Sequence, residues 1–265
     1  MKAIAPPKTA VDAFDRQYEH ALRRLWFAGD VHGEFQHIEA ALKAARGLNN
    51  FPTWLVFLGD LDIDQRPLRV ILEPMLSLSP ELRVAFIHGN HDADTYLHWE
   101  SLHDCGAAVA LHGRVVDLDG IRVAGLGGNF MGRVWAPPSQ PTFTHKAAAM
   151  QRGPYGWRDG QRPSPKLHGA IYPEDVAALR QQRADILVTH EAPSCHPYGW
   201  EALDQLAKDI GVLRTFHGHT HDDQSDAYAG QREQLGFDAR AVDFRCIKNG
   251  LGELVNAQQF NLKGA

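Results

Sequence analysis

The chain has 265 residues, with 27 Lys and Arg against 32 Asp and Glu for a formal net charge of −5, and it is 44% hydrophobic and 22% charged. These proportions are those of a globular protein; the acidic balance gives no global attraction to nucleic acid, and no apolar run approaches the ~20 residues needed to span a bilayer. Cys105, Cys195 and Cys246 are scattered without a CxxC pair, which argues against a disulfide framework or a thiolate zinc cluster and for a reducing compartment. The first residues carry no apolar core of a signal peptide, so the expectation is a soluble cytoplasmic protein folded as a single domain over residues 1–265. Histidine is the outlier, at 15 residues against 6 Tyr and 6 Trp. Imidazole is both the commonest metal ligand and a neutral-pH acid or base.

In chain order, short apolar runs read as strands at Leu25–Ala28, Trp54–Leu58 and Arg83–Ile87. Between and after them, helical spacing predicts helices over Phe35–Arg46, Arg66–Leu76 (interrupted by Pro74) and Asp94–His103, with Asp92 as a cap for the last. This β-α alternation is the opening of an α/β sheet. Further along, Val115–Leu118 and Ile121–Ala124 flank an Asp-Gly turn and read as a hairpin. Ile186–Thr189 and Leu213–Phe216 read as strands around a helix near Trp200–Ile210, and Ala241–Ile247 with Glu253–Val255 as a second hairpin.

Residues 131–166 depart from this pattern: 36 residues with six Pro, four Gly and a local charge of +5. Arg152 and Arg158 in this stretch are candidate substrate contacts. Long irregular insertions of this kind serve as lids or binding loops, or are merely decorative.

The strand ends carry the chemistry. The first strand runs into Gly29-Asp30-Val31-His32-Gly33, the second into Gly59-Asp60, and the third into Gly89-Asn90-His91-Asp92. Asp30, Asp60 and Asn90 recur at intervals of 30 residues, one β-α unit each, which brings them to the same edge of a parallel sheet. Thr189-His190 and Gly218-His219-Thr220-His221 follow at later strand ends. Each block sets a metal-competent side chain beside a residue type that permits close backbone approach or a polar turn.

These five blocks, DxH, GD, GNHD, a lone His and GHxH in that order, resemble the calcineurin-like metallophosphoesterases. The resemblance spans Asp30–His221 and implies a fold of two mixed β-sheets packed face to face and flanked by helices. It also implies a dinuclear site, with Asp30, His32, Asp60 and His221 holding one metal ion. Asp60, Asn90, His190 and His219 would hold the second, the Asp60 carboxylate bridging. A mixed nitrogen and oxygen donor set suits two transition-metal ions, Mn first, with Fe, Ni or Zn as alternatives, better than Mg. The implied reaction is in-line attack of a metal-bridging hydroxide on a phosphate ester, with His91 as the catalytic histidine.

One position departs from the family pattern. The Asp expected three residues after the GD aspartate, where it orients the catalytic histidine, is Ile63 here. Asp64 is the candidate to take its place, and Arg66 the candidate to meet substrate phosphate. The expected partner is a small anionic phosphate ester, diesters ahead of monoesters, with neither nucleic acid nor membrane as a main partner. A phosphoprotein phosphatase, a nucleotide pyrophosphohydrolase and a non-catalytic metal-binding scaffold are the competing readings.

Overall fold

The computed structural model describes residues 9–49, 51–152 and 162–255. Helix α1 (Ala10–Arg23) opens the chain, capped by Thr9 and Asp12 in a reciprocal capping box. Three β-α units follow: β1 (Leu25–Ala28), α2 (Gln36–Ala45), β2 (Trp54–Leu58), α3 (Leu68–Leu76), β3 (Arg83–Ile87), then a 3-10 turn at His91–Ala93 and α4 (Tyr96–His103). The strands β1, β2 and β3 are parallel, with Ala28 opposite Phe57 and Leu58 opposite Ile87. That register sets Asp30 and Asp60 just past one common sheet edge. A two-residue β4 (Val109–Ala110) completes one side of this sheet.

The second sheet begins with the hairpin β5 (Arg114–Leu118) and β6 (Ile121–Leu126). Helices α5 (Lys146–Arg152) and α6 (Pro173–Arg180) precede β7 (Ile186–Thr189), and α7 (Glu201–Ile210) precedes β8 (Arg214–His217). Short α8 (Ser225–Ala229) and α9 (Arg232–Leu235) lead to β9 (Asp238–Ala241), after which β10 (Ile247–Asn249) returns to pair antiparallel with β1. The sheets are therefore β10-β1-β2-β3-β4 and β5-β6-β7-β8-β9, each mixed parallel and antiparallel.

Strand alternation divides the apolar residues between two faces. Phe27, Val56, Leu58 and Ile87 of the first sheet meet Val123, Ile186, Val188 and Phe216 of the second in one buried layer. Phe27 and Phe216 stack there with ring centroids 4.0 Å apart. The alternate residues face outward under helices. Trp26, Leu55, Phe57 and Phe86 pack with Ile38 and Leu42 of α2 and Leu72 of α3. Leu126 and Leu187 pack with Leu179 of α6 and Leu206 of α7. The face-to-face sheets and flanking helices are the architecture that the motif blocks implied, and both strand ends of the sandwich converge on one rim.

A buried ionic cluster ties the layers together away from that rim. Arg214 at the start of β8 is 1% exposed; it donates to Asp238 at 2.8 Å, to both carboxylate oxygens of Asp15 at 3.0 Å, and to the Gly250 carbonyl at 2.6 Å. Arg232 and Arg240 also donate to Asp238, at 2.5 and 3.0 Å.

Several expectations are corrected. Asp92 does not cap α4; Thr95 does, its hydroxyl accepting from the His98 amide at 3.1 Å. Asp92 is fully buried and accepts the amides of Gly89 and Asp62, both at 2.8 Å, joining two of the strand-end loops. The stretch Ala241–Ile247 is not a strand: Ala241 ends β9, and the chain turns through Arg245 at φ 54° before β10. The turn after β10 does return, with Val255 donating to the Ile247 carbonyl at 2.8 Å. In the described part of the insertion, Val134 and Ala149 join Leu167, Ala170 and Tyr172 just beyond it in a small core, with Trp135 and Phe143 against it. Among the described residues no helix is long and apolar enough to cross a membrane.

Candidate metal centre

The seven residues singled out as ligands converge on the rim. Asp30 and His32 follow β1, Asp60 follows β2, Asn90 follows β3, His190 follows β7, and His219 and His221 follow β8. Asp30, His32 and His221 offer donor atoms within 4.8 Å of one another, and Asp60, His190 and His219 form a second such group. Asn90 joins the second group through its Oδ1, 3.1 Å from His190 Nε2. Asp60 Oδ2 lies 3.3 Å from His190 Nε2 and 3.9 Å from His32 Nε2, so a single carboxylate oxygen faces both groups. His221 Nε2 lies 2.8 Å from Asp30 Oδ2 and 3.4 Å from His32 Nε2.

The backbone is held in unusual shapes to reach this arrangement. His32, Asp60, His219 and His221 all have positive φ, at 43°, 47°, 64° and 53°. Non-glycine residues avoid that region and persist in it where surrounding structure over-determines them, as at functional sites. The glycines of the motifs supply room. A Cβ on Gly89 would lie 2.2 Å from Asp60 Oδ1, and one on Gly218 would lie 2.3 Å from Asp30 Oδ1. A Cβ on Gly59, itself at φ 98°, would lie 2.6 Å from His190 Nδ1.

Hydrogen bonds outside the two groups aim the donors. His190 Nδ1 donates to the Leu58 carbonyl at 2.9 Å, which turns its Nε2 toward Asp60 and Asn90. The amide of His219 donates to Asp30 Oδ2 at 2.8 Å, and the amide of His91 donates to Asp60 Oδ1 at 2.8 Å. Asp30 Oδ1 is buried and has no hydrogen-bond partner among the described residues. Two carboxylates only 1% exposed, one with an orphaned oxygen, call for positive charge at this rim. The donor set fits two divalent or transition-metal ions on that ground as well as on ligand chemistry.

The electrostatics of these side chains follow from the same pairs. Burial raises the Asp60 carboxyl, but His190 and the His91 amide outweigh it and hold it well below the usual carboxylate range. Burial lowers His190, and the Asp60 charge outweighs that, lifting the imidazole to about 10. His219 is pushed down to about 4, by burial first and by the neighbouring His190 charge second. Burial and the Asp60 charge push Asp92 up to about 7. The charged forms of Asp60 and His190 thus favour each other, and an ion held at Nε2 would take the place of the His190 proton in balancing Asp60.

His91 stands at the edge of the pair, its ring centroid 5.4 Å from that of His32. Its Nδ1 lies 2.9 Å from Asp94 Oδ2. The expectation that Asp64 takes this place is corrected: Asp64 is exposed, while Asp94 stands one 3-10 turn beyond His91 and reaches it directly. Arg66 is also exposed, on the loop after Asp60. Arg158 and the side chain of Arg152 lie outside the described residues.

Two neighbours had no signal in the motifs. Glu191, 6% exposed, accepts the Phe130 amide at 3.1 Å and places Oε2 3.9 Å from His219 Nε2. Phe244, in the turn between β9 and β10, sets its ring 5.0 Å from His221 and 5.7 Å from His32. That turn lies so close to Gly29 that a Cβ there would meet the Asp243 carbonyl at 2.4 Å. Glu191 follows His190 directly and could have been suspected from its place in that block; Phe244 belongs to no motif.

Comparison with known proteins agrees with this geometry. Residues 23–223 match the pattern of the calcineurin-like phosphoesterases. An uncharacterized protein of Haemophilus influenzae is 37% identical over 232 residues, covering 86% of this chain and 94% of its own length. The crystal structure of TT1561 of Thermus thermophilus superposes with a TM-score of 0.53 at 14% identity, covering 88% of this chain and 99% of that one. At that identity the likeness speaks for the fold.

Proposed function

From the membership of this chain in the calcineurin-like phosphoesterase family, we propose that it hydrolyses small anionic phosphate esters, phosphodiesters ahead of monoesters, using two metal ions. The observation that carries the reading is the shared Asp60 oxygen between two donor groups. Asp30, His32, Asp60 and His221 would hold one ion, and Asp60, Asn90, His190 and His219 the other. Such a pair supplies Lewis-acid charge to a phosphoryl group and lowers the pKa of coordinated water to near neutrality. The donor set favours Mn, with Fe, Ni or Zn as alternatives. The preference for diesters rests on the GNHD and GHxH blocks.

The chain's own residues then have distinct tasks. Asp60 and Asp30 set the charge and spacing of the site, and His190 is aimed by the Leu58 carbonyl. His91, 45% exposed in its side chain and free of either donor group, holds a proton at Nε2 for the leaving oxygen. Arg66, exposed beside the Asp60 loop, meets the substrate phosphate.

A substrate panel on metal-defined protein tests this reading, scoring bis-para-nitrophenyl phosphate, para-nitrophenyl phosphate, nucleotides and phosphopeptides together. Diester turnover that scales with metal content up to two ions per chain is expected. His91→Ala should lower kcat about 10²–10⁴-fold with metal content intact. No turnover of any ester by Mn-loaded protein would favour a non-catalytic scaffold.

A further inference from the structure

The turn that carries His91 is packed against a second turn from the far end of the basic insertion. Lys166 lies in a 3-10 turn at Pro165–Gly169, and its Nζ donates to Asp94 Oδ1 at 2.8 Å. The other oxygen of the same carboxylate, Oδ2, accepts from His91 Nδ1 at 2.9 Å. The two turns touch closely: a Cβ on Gly169 would lie 3.0 Å from the Ala93 side chain and 3.3 Å from the Gly89 carbonyl. Leu167, 1% exposed, anchors the second turn in the small core it shares with Val134 and Ala149 of the insertion. Tyr96, at the start of α4, donates from its hydroxyl to the Pro163 carbonyl at 2.8 Å, and the Arg162 guanidinium lies over the Tyr96 ring at 5.1 Å.

We propose that Asp94 and Lys166 form a positioning relay for His91, through which the basic insertion sets the orientation and tautomer of the catalytic histidine. The proposal rests on the phosphoesterase reading of the site. A carboxylate only accepts hydrogen bonds, so the contact with Asp94 keeps one proton on Nδ1 and directs Nε2, which carries the second proton for the leaving oxygen, away from it. Lys166 occupies the second oxygen and keeps the carboxylate from rotating away. The family position for such a carboxylate is Ile63 here, 4% exposed and unable to do this. Asp94 supplies the function instead, from just past the His91–Ala93 turn. The Lys166 side chain is 48% exposed, and a pair so open to water contributes little stability. Its value lies in geometry, and its effect is expected to be smaller than that of Asp94.

The test compares wild type, Asp94→Ala, Lys166→Met, Lys166→Arg and His91→Ala on aryl phosphodiesters whose leaving phenols run from 4-nitrophenol to unsubstituted phenol. Asp94→Ala should lower kcat about 10–100-fold on the poorest leaving group, in the range found when a carboxylate behind a functional histidine is lost. The loss should shrink toward the 4-nitrophenyl ester, with KM within about two-fold and both metal ions retained. Lys166→Met should follow the same trend at about 3–10-fold, and Lys166→Arg should recover most of it. An independent readout is the ¹⁵N spectrum of His91 in zinc-loaded protein, taken at alkaline pH where the ring is neutral: the Nδ1–H tautomer in wild type, a mixture of tautomers in Asp94→Ala. Equal losses across the leaving-group series, or an unchanged tautomer, would overturn the relay while His91→Ala remained slow. Full activity in His91→Ala would instead remove the functional reading on which the relay stands.

Discussion

Oδ2 of Asp60 lies 3.3 Å from Nε2 of His190, and neither side chain is more than 1% exposed. The pair sits where two donor groups meet, since the same oxygen is 3.9 Å from His32 Nε2. Removing the charge of Asp60 should therefore disturb both groups at once. Asp60→Asn is expected to lose metal from both and to lower kcat/KM by at least ~10³-fold, a barrier change of about 4 kcal/mol. Elemental analysis of dialysed protein checks this. Full occupancy of both positions in the variant would remove Asp60 as the shared ligand.

The motif glycines make an equally sharp case. At Gly89 an added Cβ would approach Asp60 Oδ1 to 2.2 Å and the Asp60 amide nitrogen to 2.5 Å, and the latter is backbone that cannot swing aside. Gly89→Ala should cost about 1–3 kcal/mol through overpacking, which lowers Tm by about 3–10 °C for a chain of this size. It should also weaken metal binding by displacing the carboxylate. Gly132, where nothing lies within 4 Å of an added Cβ, is the matched control, and Gly132→Ala should leave Tm and metal content alone. Thermal melts with and without metal compare the two.

The parts of the fold and site that can be read from the sequence share a cause. The strands Leu25–Ala28, Trp54–Leu58 and Ile186–Thr189 are buried on both faces, so they read as unbroken apolar runs ending abruptly in Gly and polar donors. Asp30, His32, Asp60 and His190 stand at those ends, and Asn90, His219 and His221 at the ends of β3 and β8, where local sequence positions them. The remaining parts depend on what other segments do. Helix α1, with Val11, Phe14 and Leu22 buried, is amphipathic, but it precedes the first strand and becomes meaningful only against the sheet it covers. Ala241–Ile247 has strand-like composition, yet contact with Gly29 bends it into a turn. Asp64 and Asp94 are equally polar and equally near a motif; a 3-10 turn decides between them by placing Asp94 on the His91 side.

Away from the rim, the Arg214 cluster sets the response to acid. Burial alone would raise the Asp238 carboxyl, but Arg214, Arg240 and Arg232 outweigh it and hold it below the usual range. Folding thus lowers this pKa, so the stability it contributes is complete above the unfolded value of about 3.9. It is lost as pH falls through the depressed folded value. Arg214→Met should cost up to about 3–5 kcal/mol at pH 7, because it removes the buried partner of Asp238 and Asp15 and leaves Asp238 to Arg232 and Arg240 alone among the described residues. It should also flatten the decline in stability below pH ~4. Urea titrations at pH 7, 4 and 3 read both effects, and an unchanged acid slope in the variant would show that the cluster does not control it.

Glu191 offers the last test, because it stands directly beside His219. Its carboxylate accepts the Phe130 amide and stands 3.9 Å from His219 Nε2, close enough to bias the ring without occupying a donor position of its own group. Burial raises its pKa, with His190, Trp200 and the Phe130 amide pulling the other way. Carboxylates behind metal-binding histidines typically account for about 10–100-fold in metal affinity. Glu191→Gln keeps an oxygen for the Phe130 amide and should preserve the fold while weakening the ion held by Asp60, Asn90, His190 and His219 by that factor. The ion at Asp30, His32 and His221 should be affected far less. Competition with a chelator of graded strength separates the two ions. A uniform loss of both would mean that Glu191 holds the loop as a whole, and no loss would mean that His219 is fixed by its backbone at φ 64° alone.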